Sequence, residues 1–189
     1  MPGWIKNGML GCVVAMMATA SAVAETVPEP EGYRMESYRS DVPETLSGAT
    51  VLDTKKAIAL WKDKAAVFID VLPHDPKPAN LPAGTIWKER LRQNIPGSAW
   101  LANTGYGVLN SQTETYFRDA LRELLGEEKD RKVAFYCQEH CWMSWNAAKR
   151  AVSWGYRSVY WYPPGSDGWI AAGQPTENAT PYKLQITRP

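Results

Sequence analysis

The sequence predicts a single α/β domain with a central parallel sheet flanked by helices, on three observations. Apolar runs at residues 65–71, interrupted only by Asp70, and at 133–136 have the composition of strands buried on both faces. Helix-forming stretches with an apolar side separate them, at residues 54–61, 113–125 and 145–152. Strands that alternate with helices in this way pack most economically as a parallel sheet with right-handed crossovers.

In chain order, residues 1–24 read as a secretory signal peptide. Lys6 gives a short positive start, residues 8–24 are uncharged, and Ala22-Val23-Ala24 supplies the small residues for a cut before Glu25. The rival readings are a membrane anchor and, from Met9-Leu10-Gly11-Cys12, a lipoprotein box. The stretch is short and alanine-rich beside the ~20 strongly apolar residues a spanning helix needs. Export predicts a periplasmic protein, in a compartment where paired thiols persist as disulfides.

Cleavage removes Lys6 and no acidic residue, so the formal charge falls from +1 to 0. That balance leaves no basic field for nucleic acid or, once the signal is cut, for a membrane surface. The 165 residues left suit one domain with a full core.

Residues 25–48 are polar and proline-bearing, with Tyr33, Arg34, Tyr38 and Arg39 scattered among them. They read as an extended arm, either wrapped on the domain or serving as a plain linker. The domain proper spans residues 49–176. Residues 49–52 form a short strand, then Asp53 or Thr54 caps a helix through Trp61 with Ala57, Ile58 and Leu60 inward. After the strand at 65–71 comes a long loop over 72–94, with four prolines and the charged run Lys88-Glu89-Arg90-Leu91-Arg92.

Ile95-Pro96-Gly97-Ser98 turns the chain into a short strand at 99–101. The helix at 113–125 faces inward through Phe117, Leu121, Leu124 and Leu125, with Gly126 as its stop. The strand at 132–136 runs into the cysteine loop, and the helix after it stops near Gly155. A last strand at 158–162 is followed by Pro163-Pro164-Gly165 and a short segment around Trp169. Residues 177–189 are a polar tail.

Of three cysteines, cleavage leaves Cys137 and Cys141, within the run Cys137-Gln138-Glu139-His140-Cys141-Trp142. A cysteine at the turn from a buried strand into a helix N-terminus meets backbone N–H groups and a dipole that favour thiolate.

Five marks in order give the chain a wider likeness. They are Phe68-Ile69-Asp70-Val71, Ile95-Pro96-Gly97-Ser98-Ala99, Phe135-Tyr136-Cys137, Gly155-Tyr156-Arg157-Ser158-Val159-Tyr160, and Gly165 through Pro175. Over roughly residues 50–175 the chain resembles the rhodanese-like domain. More narrowly, Cys137 through Arg150 looks like the exported CXXCW-motif family associated with PQQ-dependent catabolism of alcohols.

The resemblance implies that Cys137 matches a nucleophile that accepts sulfane sulfur as a persulfide. It also implies that residues 138–143 form a cradle whose backbone N–H groups face that sulfur. The narrower likeness implies the company of a periplasmic quinoprotein dehydrogenase. Against the usual pattern, the loop carries Glu139 and no glycine or arginine, Leu72 replaces an arginine, and Asn94 replaces a histidine. A carboxylate beside the nucleophile disfavours both thiolate and an anionic substrate, which makes thiosulfate a poor donor.

On the first reading the chain is a thiol–disulfide or sulfur-relay protein, with Cys137 and Cys141 as the reacting pair and no resident cofactor or metal. Gln138, Glu139, His140, Trp142 and Met143 then border the substrate, with Asp70 and His74 in support. Trp142 is the candidate stacking wall, Asp70 tethers loop backbone, and His140 can carry a proton. An inert Cys137–Cys141 bridge is the bland counterpart. A second reading makes Cys137, His140 and Cys141 soft metal ligands, with His74 as a fourth from the neighbouring loop. A third is a non-catalytic module that presents a Trp/Tyr-rich surface to a dehydrogenase or transporter; on the first reading the partner is a periplasmic quinoprotein dehydrogenase or a thiol partner.

Overall fold

The computed structural model describes residues 1, 3, 26–74, 77–88 and 91–185. Lys6, Cys12 and the expected cut before Glu25 lie outside the described residues, as do Asp75, Glu89 and Arg90. Among the described residues no helix is long and apolar enough to cross a membrane.

The first half of the domain runs β1 (Thr50–Val51), α1 (Thr54–Lys62), β2 (Val67–Asp70), β3 (Arg92–Asn94) and β4 (Ala99–Trp100). The second runs α2 (Ser111–Leu125), β5 (Val133–Tyr136), α3 (Trp142–Ser153), β6 (Val159–Tyr162), α4 (Gly165–Ala171) and β7 (Glu177–Ala179). Five strands make one sheet in the order β1-β6-β5-β2-β4, every neighbouring pair parallel.

Local chemistry sets the helix ends. The Asp53 carboxylate caps α1 by accepting from Lys56 N at 2.7 Å, and the Asn110 side chain caps α2 by accepting from Thr113 N at 2.8 Å. Gly126, at φ +79°, stops α2.

Side-chain alternation splits the core into two layers. Phe68, Ala134, Tyr136 and Tyr162 face α1 and α4 and pack on Ala57 and Trp169. Ile69, Val133, Phe135 and Trp161 face α2 and α3 and pack on Phe117, Leu121 and Trp145. Cys137 continues the odd-numbered series of β5 and is buried in this second layer.

Two expectations are corrected. The loop over 72–94 and the tail are not wholly irregular, because β3 and β7 pair antiparallel as a separate two-stranded sheet. Further along, Tyr182 N donates to Trp100 O at 2.8 Å and Tyr116 Oη to Tyr182 O at 2.7 Å. Helix α3 starts at Trp142, three residues before the expected Trp145. Cys141 at its N-cap makes no side-chain capping bond, and Tyr38 O in the arm accepts from Trp142 N at 2.9 Å instead.

The arm lies along α3. Asn146 accepts from Arg34 N and donates to Arg34 O, both at 2.9 Å. Trp145 donates to Thr45 O, Lys149 to Pro30 O, and Leu46 is buried in the α2–α3 layer.

Candidate functional site

From β2 the chain moves outward to β4, whereas from β5 it moves the other way, through α3 to β6. The carboxyl ends of β2 and β5 therefore flank the point where connections diverge, the place where α/β sheets form ligand crevices. Asp70 ends β2, and Cys137 follows the last residue of β5.

Cys137 and Cys141 are joined as a disulfide, with Cα atoms 6.3 Å apart. Their exposures are 0% and 3%, so the bridge is reached only if its cover opens. Between them the chain turns sharply through His140, whose φ of +51° lies in the left-handed region. The turn pushes Glu139 and His140 into solvent and leaves Gln138 half-buried.

The Cys137 carbonyl is fixed from three directions. It accepts from Ser166 N at 3.0 Å, Ser166 Oγ at 3.2 Å and Arg92 Nη2 at 3.2 Å. Gly165 permits the approach of α4, since a Cβ there would stand 2.7 Å from that oxygen, at a φ of +54°. Asp70 Oδ2 accepts from Arg92 Nε at 2.6 Å, and Asp70 Oδ1 from Leu72 N at 2.9 Å. Burial pushes the Asp70 carboxyl above its ordinary range, against the pull of the Arg92 guanidinium and the Leu72 amide.

The arm covers the other side of the loop. Arg39 pairs with Cys141 in an antiparallel bridge, and its Nη1 donates to Gln138 Oε1 at 3.1 Å. His140 Nδ1 lies 3.0 Å from Asp41 Oδ1. The Trp142 indole N–H is shared between Ser40 Oγ and Asp41 O at 3.0 Å, beneath the Arg34 guanidinium and edge-on to Trp145.

Trp142 and Met143, expected to border a substrate, are each 2% exposed. The arm encloses the indole and Gly105 lies against the Met143 backbone, so both serve packing rather than an open wall. Two amides of the expected cradle already have protein partners: Glu139 N donates to Asp167 Oδ2 at 3.3 Å and Trp142 N to the arm. His74 is held by Asn103 through its backbone and meets Trp100 edge-on, with centroids 5.3 Å apart. Among the described residues no group of three or more His, Cys, Asp or Glu is placed to hold a metal ion.

Beside the loop lies a half-open cleft of about 720 Å³, within the range of small-ligand sites. Gln138 and His74 line it, with Arg39, Lys88 and Arg92 and the rings of Trp87, Trp100 and Tyr106. Sequence reasoning missed Arg39, Arg92, Ser166 and Asp167, which come from three separate segments, the arm, β3 and α4. Only the charged run around Arg92 signalled that the long loop had a task.

The profile of the rhodanese-like domain matches residues 53–172. The structure is similar to a polysulfide-sulfur transferase homodimer from Wolinella succinogenes, with 16% identity, 74% of this chain and 86% of that chain covered, and a TM-score of 0.45. An uncharacterized protein from Saccharomyces cerevisiae is similar at 20% identity, over 67% of this chain and 95% of that one, with a TM-score of 0.40. No curated protein matches the chain.

Proposed function

Because the chain belongs to the rhodanese-like domain family, we propose that it is an exported, periplasmic thiol protein that relays sulfur or exchanges disulfides through Cys137. Cys141 is the resolving thiol. A place in PQQ-dependent alcohol catabolism, beside a quinoprotein dehydrogenase, completes the proposal and rests on the motif likeness alone. The observation that carries the reading is the bonded pair of sulfurs at the divergence point of the sheet, beside an open cleft.

The chemistry balances in two steps. The Cys137 thiolate attacks one sulfur of a substrate disulfide, forming a mixed disulfide and releasing one substrate thiolate. The Cys141 thiolate then attacks Cys137 Sγ, closing the bridge and releasing the second; the protein loses two electrons and the substrate gains them. With a persulfide donor, Cys137 takes the outer sulfur and the donor leaves as a thiolate. Attack by Cys141 then expels hydrosulfide and leaves the same bridge. Arg92 and Ser166 hold the Cys137 carbonyl, and Asp70 in turn holds the Arg92 guanidinium.

Burial of both sulfurs favours a second reading, an inert staple. Trapping separates the two. Reduced Cys141→Ser protein should accumulate a mixed disulfide with a substrate disulfide, and Cys137→Ser protein should not. If Cys137→Ala protein exchanges disulfides or transfers sulfur at the native rate, the roles are wrong. A bridge that survives millimolar dithiothreitol in the native protein would select the staple.

A further inference from the structure

The cleft beside Gln138 has a chemistry of its own, distinct from the sulfurs. Its cations come from three segments remote in sequence: Arg39 from the arm, Lys88 from the loop after β2, and Arg92 from β3. Arg92 is spent, since its N–H groups hold Asp70, Ser166 and the Cys137 carbonyl. Arg39 and Lys88 are not. Arg39 donates to the neutral Gln138 amide, and among the described residues no carboxylate pairs with either cation. Glu139, the carboxylate within the cysteine loop, is not part of the lining.

The rest of the lining mixes the polar groups of His74 and Gln138 with the rings of Trp87, Trp100 and Tyr106 and the aliphatic Leu72, Pro73 and Leu91. Trp100 forms one wall, buried at 4% exposure, with its indole N–H tied to Leu72 O. Trp87 and Leu91, also in the lining, are 38% and 75% exposed, so the long loop brings large apolar side chains to the cleft with little to cover them. Uncovered apolar surface beside cations that meet no carboxylate among the described residues, in a concavity of small-ligand size, is the pattern of a small-ligand site.

We propose that this cleft binds a small organic anion, a carboxylate or sulfonate carried on a flat apolar body. Arg39 and Lys88 take the charge, and the body lies between Trp87 and Trp100. Resting on the reading above, the substrate of Cys137 is then a thiol, disulfide or persulfide of that class, held with its sulfur toward Gln138.

The opposite rim of the sheet supplies an internal control. A concavity of about 630 Å³ there is lined by Lys62, Lys64, Arg131 and Lys132 beside Trp61. Charge alone would draw an anion there as well.

The test is a titration of the oxidised full chain with 2-naphthoate and with uncharged 2-naphthylmethanol, read from the indole N–H resonances of individual tryptophans. Naphthoate should shift Trp87 and Trp100 saturably and bind about ten-fold more tightly than the alcohol, as a charge-assisted contact predicts. Arg39→Gln with Lys88→Gln should remove that advantage and leave binding of the alcohol unchanged. The site is overturned by the absence of saturable shifts, by equal affinity for the two probes, by an unchanged double variant, or by shifts confined to Trp61. Because both sulfurs are already bonded in this sample, saturable binding by a protein whose Cys137 proves unreactive would retain the anion site and overturn the relay.

Discussion

The arm before β1 and the tail after α4 are both polar, and both are bound to the domain, but they land on different elements. The arm meets the cysteine loop and the first turn of α3 through Tyr38, Arg39, Ser40 and Asp41. The tail meets β3, β4 and α2 through β7, Tyr182 and Glu177, whose Oε1 accepts from Gly97 N. The arm therefore bears directly on the loop that carries the sulfurs. The tail acts at one remove, by steadying the strand that carries Arg92.

The largest expected effect sharpens that last link. Arg92→Ala leaves the Asp70 carboxyl buried without its guanidinium, which costs about 3–5 kcal/mol for a broken buried pair, measured by urea denaturation at neutral pH. Adding Asp70→Asn should recover much of the loss. If Arg92→Ala alone is neutral, the pair does not support β3.

Deleting residues 26–41 tests the direct side. The bridge should then be reduced by dithiothreitol on the order of ten-fold faster, as expected when local opening limits attack. Equal rates in the truncated and intact chains would break the comparison. Tyr116→Phe, on the tail side, should cost about 1 kcal/mol by loss of one hydrogen bond while leaving the reduction rate alone.

The last comparison is a pH dependence of the tail side. The Tyr116 phenol, by burial and then the charge of Tyr182, and the Tyr182 phenol, by burial and then Glu123, are pushed up from 10 to about 12. Their neutral forms favour the folded state, so their contribution is whole below pH 10 and fades as pH rises from 10 through about 12. Tyrosinate absorbance followed during denaturation at pH 9 and pH 11.5 checks the sign; greater stability at the higher pH would refute it.

The order of strands and helices was legible because the information is local. The apolar runs that end in Asp70 and Tyr136, the Asp53 cap and the Gly126 stop are each written within a few residues. The short sheet was not legible, because Arg92-Gln93-Asn94 and Glu177-Asn178-Ala179 show no apolar alternation and pair across more than eighty positions. The early start of α3 was hidden for a similar reason, since its cap comes from Tyr38 rather than from a neighbour of Cys141. At the site, the closeness of the two cysteines was readable from their spacing. The grip on the Cys137 carbonyl by Arg92 and Ser166 was not, because those side chains converge only after the sheet has formed.

The placement of Cys137 in the odd-numbered series of β5 makes the sulfur's address a matter of parity. One residue inserted or deleted within that strand would swing the thiol through the sheet toward Ala57 and Trp169, on the side without Cys141. Drift in chain length at this point is therefore intolerable even where every substitution is conservative, whereas the same change in the exposed loop before Arg92 would leave the sulfur facing its partner.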